Sequence, residues 1–268
     1  MDKAVVTART ALLDAFEALH AHLGALVIVG AQAVYMHTGA APVALAEFTT
    51  DADVAIDPDL LSSDPLVEAA MLAGGFKPDP RTSAIGTWIS SQGVPADLMI
   101  PDSVAGSGRR SVKVPPHDRK SMRRTRGLEA ALVDNSKMLI QSLNPELDTR
   151  EFLVPVAGPA ALLVAKLHKI GDRLGEEGRQ NNKDAHDVYR ILIALESESL
   201  ATSIKQLLTR ELSQSITEEA MTYLRDLFAA GANAPGSRMA GAAEELVGDP
   251  ESVSESVALL AQDLLAAI

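Results

Sequence analysis

Apolar residues recur at helical spacing from Val5 to Leu23, with Leu12, Leu13, Phe16 and Leu19 on one stripe, and this predicts an amphipathic helix. The next run, Ala25-Leu-Val-Ile-Val29, is short and unbroken and ends at Gly30. Such a run closed by glycine predicts a buried strand that turns into a helix, here Ala31 to His37. Phe48 to Ile56 alternates apolar and polar positions and is closed by Asp57-Pro58, the pattern of a second strand. Ser63 to Ala73 reads as a helix stopped by Gly74-Gly75. Thr87 to Ser90 and Ala96 to Ile100 read as two more strands, parted by a turn at Gln92-Gly93. Glu151 to Val156 reads as extended, and Pro159 falls where the first turn of a helix tolerates it. Beyond it the pattern is helical almost throughout, with breaks at Gly175 to Gly178, Gly231 to Pro235 and Gly248 to Pro250. Strands first and helices later predict an α+β fold, with a mixed sheet domain over residues 1–156 and an α-helical domain over 157–268.

Composition narrows the classes. Cysteine is absent, which excludes disulfides, thiolate metal sites and a cysteine nucleophile. No apolar run approaches the ~18 residues of a membrane span, and the first residues carry an acid rather than a secretory signal, so a cytoplasmic protein with no membrane partner is expected. The net charge of -12 is unevenly spread. Arg109, Arg110, Lys113, Arg119, Lys120, Arg123, Arg124 and Arg126 face the single acid Asp118 within that segment, a local charge of +7. From Ile191 to the end the balance is -8. A basic stretch of this kind is either a polyanion surface, here for RNA, or a solvated loop. Aromatic residues are 3% of the chain, too few to stack many unpaired bases, so an RNA partner would be held by phosphate and shape.

The densest chemistry lies in Thr49-Thr50-Asp51-Ala52-Asp53. Side chains alternate along a strand, so Asp51 and Asp53 point to one side, about 7 Å apart. Two like charges so placed repel, and a divalent cation removes that penalty. Magnesium commonly binds through one or two carboxylates plus substrate phosphates. Asp97 opens a later strand, and if that strand lies beside the first, three carboxylates converge as a metal site for phosphoryl transfer. The chain has neither a P-loop nor a Gly-x-Gly-x-x-Gly fingerprint. In the helical half, Lys166, Lys169 and Arg173 share one helix face, and Asp184 and Asp187 share a face of the next. These residues form either an interhelical salt-bridge cluster or a cationic surface for phosphates.

Gly30-Ala31, then Thr50-Asp51-Ala52-Asp53, then Asp97 together resemble the nucleotidyltransferase fold of the DNA-polymerase-beta-like superfamily. Pro159 to Lys169, Arg173 and Lys183-Asp184-Ala-His-Asp187 further resemble the AbiEii/MenT-like toxins of abortive-infection (type IV) toxin–antitoxin systems. The resemblance runs from about residue 25 to 195. It departs from the family at Ala31, where a second glycine or a serine is usual, and in the longer stretch between Ala31 and Asp51. The resemblance implies a nucleotidyltransferase using magnesium or manganese on Asp51, Asp53 and Asp97. It implies a nucleoside triphosphate held by Gly30, Ala31, Thr50, Lys166, Lys169 and Arg173, with Lys166 and Asp184 catalytic. The implied acceptor is a tRNA 3′ end and the implied partner a cognate antitoxin. A small-molecule nucleotidyltransferase of the antibiotic-modifying kind and a catalytically silent module on the same fold remain open.

Overall fold

The computed structural model describes residues 3–39, 51–81, 85–174, 182–245 and 248–268. The chain divides into two compact units: the first is Met1–Gln32, Phe48–Leu128 and Asn135–Ala157, the second Ala33–Glu47, Glu129–Asp134 and Gly158–Ile268.

The first unit is built on a mixed sheet that has eight strands among the described residues. They are β1 (Leu26–Ile28), β2 (Ala52–Ile56), β3 (Lys77–Pro78), β4 (Thr87–Ile89), β5 (Pro95–Pro101), β6 (Arg123–Thr125), β7 (Asn135–Gln141) and β8 (Glu151–Ala157). Their order is β3-β4-β5-β2-β1-β8-β7, and β6 also pairs with β5. β2 runs antiparallel to β1 and parallel to β5, which places Asp53 level with Asp97. Ala52, Val54 and Ile56 are fully buried, while the alternate residue Asp53 is only half-buried. Helix α1 (Lys3–Ala18) buries Leu12, Leu13 and Phe16 and packs on β2 and β5. It stops before its apolar stripe does, because a 3-10 turn, His20–Ala25, keeps Leu19 and Ala25 buried while the chain swings into β1. Helix α2 (Gly30–Thr38) follows β1, as the glycine-closed apolar run predicts. Helix α3 (Val67–Ala73) starts later than Ser63, because Pro65 disfavours a helical conformation at the residue before it.

Three strands, β3, β6 and β7, escape the hydrophobic pattern. β3 is two exposed residues long, and β7 buries only Ile140 because it lies at the sheet edge. An edge strand with little burial shows no alternation to read. The predicted residues Phe48 to Thr50 lie outside the described residues.

Among the described residues, the second unit is mostly helical from Pro159 on. After α4 (Glu129–Val133) come α5 (Pro159–Gly171), α6 (Asn182–Ala194), α7 (Ser197–Leu208), α8 (Gln214–Leu224), α9 (Pro235–Ala242) and α10 (Pro250–Ala267). Asp134 supplies the cap that α5 lacks locally, its carboxylate accepting from the Ala161 N–H at 3.1 Å. The predicted breaks at Gly231 to Pro235 and Gly248 to Pro250 fall between helices, whereas Gly175 to Gly178 lies outside the described residues. Among the described residues no helix is long and apolar enough to cross a membrane.

Candidate carboxylate site and helical charge cluster

In the first unit, strands β4, β5 and β2 lie side by side and carry Thr87, Asp97 and Asp53 in one cross-strand row. The Thr87 hydroxyl donates to Asp97 Oδ1 at 2.6 Å, and Arg123 Nη2 donates to Asp97 Oδ2 at 2.6 Å. Asp51 stands two residues before Asp53, at the entrance to β2, where its backbone carbonyl accepts from the Gln32 amide at 3.1 Å. Thr50 lies outside the described residues.

Gly30 makes the turn from β1 into α2 with φ of +69°, a region that L side chains rarely enter. A methyl group at this position would overlap the Asp53 carboxylate. Positive φ and this close approach together require glycine, and they set the Asp53 carboxylate against the start of α2. Ala31, the next residue, is buried. Gly30→Ala is therefore expected to lose roughly 1–2 kcal/mol from the left-handed backbone alone, and more from the displaced Asp53. A thermal melt coincident with wild type would mean that the turn relaxes and that Asp53 is not held by it.

The carboxylates of Asp51, at the entrance to β2, and of Asp53, on it and beside a glycine turn, are hard oxygen donors of the type that suits a divalent cation bound through few protein oxygens. Among the described residues, no three His, Cys, Asp or Glu side chains are already arranged to hold a metal. At Asp97 both oxygens are engaged by Thr87 and Arg123.

The basic segment is not one uniform surface. Arg109, Arg110, Lys113, Arg119, Lys120 and Arg126 are exposed. Arg123 sits on Asp97, and Arg124 bonds Asp102 at 2.7 Å and the Gly106 carbonyl. These two arginines are half-buried on β6, and the strand ties the end of the segment to the sheet.

The second unit holds a separate charge cluster. Lys166 is 5% exposed and lies 2.8 Å from Asp184 and 2.6 Å from Asp187. Lys169 and Arg173 reach Asp184 at 2.9 and 3.3 Å with side chains 41% and 36% exposed. Burial alone would lower the Lys166 ammonium, but Asp187 and Asp184 outweigh it and hold it above the usual lysine range. Burial would raise the Asp184 carboxyl, but Lys166 and Lys169 hold it below the usual carboxylate range. Arg190, one turn beyond Asp187, is 1% exposed. Its Nη2 donates to the Thr38 carbonyl at 3.1 Å, and its guanidinium lies 4.7 Å from the centre of the Tyr35 ring.

Sequence reasoning missed Gln32, Thr87, Arg190 and Tyr35. The spacing of Asp184, Asp187 and Arg190, three apart each time, was the available signal for Arg190. The other three come together only through strand pairing and helix packing.

No protein-family model matches the chain, and no curated protein does. Among solved structures, an antigenic nucleotidyltransferase-like protein from Paracoccidioides brasiliensis is similar at 16% identity and a TM-score of 0.41, over 80% of this chain and 93% of that one. That likeness is too slight to carry fold or activity over to this chain.

Proposed function

We propose that the protein is a nucleotidyltransferase that moves a nucleotide from a nucleoside triphosphate to an acceptor hydroxyl. The observation that supports this most is the row of Asp53 and Asp97 on adjacent parallel strands, with Gly30 pressed against Asp53. Asp51 and Asp53 would hold a magnesium or manganese ion, which would supply positive charge to the phosphates. The N–H groups of Gly30 and Ala31, at the start of α2, face the phosphates, where a helix N-terminus favours anions. The acceptor oxygen attacks the α-phosphorus, pyrophosphate leaves, and Asp97 takes the hydroxyl proton. Lys169 and Arg173 are the more exposed cations of the helical cluster and the ones offered to an anion. Lys166 is the charge that holds Asp184 and Asp187 in place.

The proposed acceptor is the 3′ end of a tRNA, and the proposed biological role is that of a toxin restrained by a cognate antitoxin. Labelled nucleoside triphosphates incubated with bulk tRNA, with and without magnesium, test the transfer directly. Label on small hydroxyl compounds but not on RNA would move the reading to a small-molecule transferase.

The exposed part of the basic segment gives a second test. Arg109, Arg110 and Arg119 replaced together by Ala should weaken tRNA binding. Each lost phosphate contact should also reduce the log–log salt slope by about 0.7–0.9. Triphosphate binding should hardly change. Superimposable tRNA titrations at two salt concentrations would leave this segment a solvated surface.

A further inference from the structure

Arg123 belongs to the basic segment by sequence but to the carboxylate site by structure. β6 runs parallel to β5 with Arg123 level with Met99, two residues beyond Asp97 and on the same face. Gly86 (φ +76°) lets β6 close on β5 here, because any side chain at that position would overlap the Arg123 backbone nitrogen and the Leu98 carbonyl. From this anchorage Nη2 reaches Asp97 Oδ2 at 2.6 Å and the Met99 sulfur at 3.2 Å. The Arg123 Nε is buried without a hydrogen-bond partner, while the side chain as a whole is 35% exposed. An arginine spent on a polyanion at the surface needs none of this.

We propose that Arg123 is a built-in counter-charge of the carboxylate site, and that the site consequently takes one divalent cation, on Asp51 and Asp53, rather than two. This rests on the metal-dependent reading above. A second ion bridging toward Asp97 would need Oδ2, which the guanidinium occupies. It would also sit within a few ångströms of a fixed positive charge, where like charges repel strongly in a partly dry site. Magnesium in addition demands near-octahedral oxygen geometry at about 2.1 Å, which a guanidinium on the same oxygen obstructs. Arg123 and Thr87 thus hold Asp97 away from the ion, and an acceptor hydroxyl meets it on the lone pairs that these two bonds leave.

The test is a Mn2+ titration of the full chain without nucleotide, followed by the electron paramagnetic resonance of free Mn2+. Wild type should bind one ion, which Asp53→Asn abolishes and Asp97→Asn leaves almost unchanged in affinity. Arg123→Ala should bring in a second ion, and Arg123→Ala combined with Asp97→Asn should lose it again. Arg123→Lys keeps the charge and should stay at one ion, which covers the case in which the alanine variant does not fold. Two ions in wild type, or a loss of about tenfold or more in affinity on Asp97→Asn, would overturn the inference and leave the metal reading intact. No Mn2+ bound by wild type would sink the metal reading itself.

Discussion

Lys166→Ala is expected to destabilise the helical unit by about 3–5 kcal/mol, the cost of stranding buried charge once its partner is removed. Asp184 and Asp187 are 2% and 1% exposed and Lys166 lies within 2.8 Å of both; Asp184 is shared with Lys169 and Arg173, so Asp187 bears most of the loss. Lys169→Ala removes a contact to the same Asp184 oxygen, but its side chain is 41% exposed, so about 1 kcal/mol or less is expected. Thermal and urea unfolding of the two variants measure the difference directly. Replacing Asp184 and Asp187 by Asn in a Lys166→Met background removes the stranded charges and should recover much of the loss. Equal, small effects of Lys166→Ala and Lys169→Ala would mean that water reaches the cluster.

The pH dependence follows from the directions of the shifts. The Asp184 carboxyl is depressed when folded, so its contribution is present above the ordinary carboxylate range near ~3.9 and fades as pH falls below it. The Lys166 ammonium is raised when folded, so its contribution is complete below ~10.4 and fades only as pH rises beyond that. Between these limits the cluster should add a flat plateau to stability. A slope centred near neutral pH that disappears in Lys166→Ala would contradict it.

The second large effect is on activity. Asp51→Asn and Asp53→Asn should each remove magnesium-dependent nucleotide transfer. A bound metal commonly supplies several kcal/mol to a phosphoryl transition state, and each 1.36 kcal/mol is tenfold in rate. Losses of about a thousandfold or more are therefore expected. Neither change should unfold the sheet, since both side chains lie off the buried Ala52, Val54 and Ile56 positions of β2 and an amide is near the size of a carboxylate. Full transfer by either folded variant would remove that residue from the metal site.

How far the site could be read in the chain differs from residue to residue. Gly30 and the pair Asp51 and Asp53 stand out in the chain because the signals that mark them are local: a glycine where a strand turns into a helix, and two carboxylates two residues apart at the start of a strand. Asp97 was legible only as a condition, that its strand should lie beside the first. Parallel pairing of β2 with β5 meets that condition across more than forty residues of chain, a distance over which periodicity says nothing. Arg123 was misleading in sequence, since among eight cations in one basic stretch nothing marks the one that β6 carries to Asp97.

The sequence by itself determined the elements that its hydrophobic pattern marks, the α+β character, and the carboxylates and cations from which any chemistry must be made. These follow from hydrophobic period, glycine and proline placement and charge, each acting over a few residues. Tertiary structure alone decided which charges neutralise which. It gave Arg123 to Asp97 and Lys166 to Asp184 and Asp187, and it left Arg109, Arg110 and Arg119 in solvent. The physical reason is that the energy of an ion pair depends on separation and burial, and both are set by which strands and helices pack together.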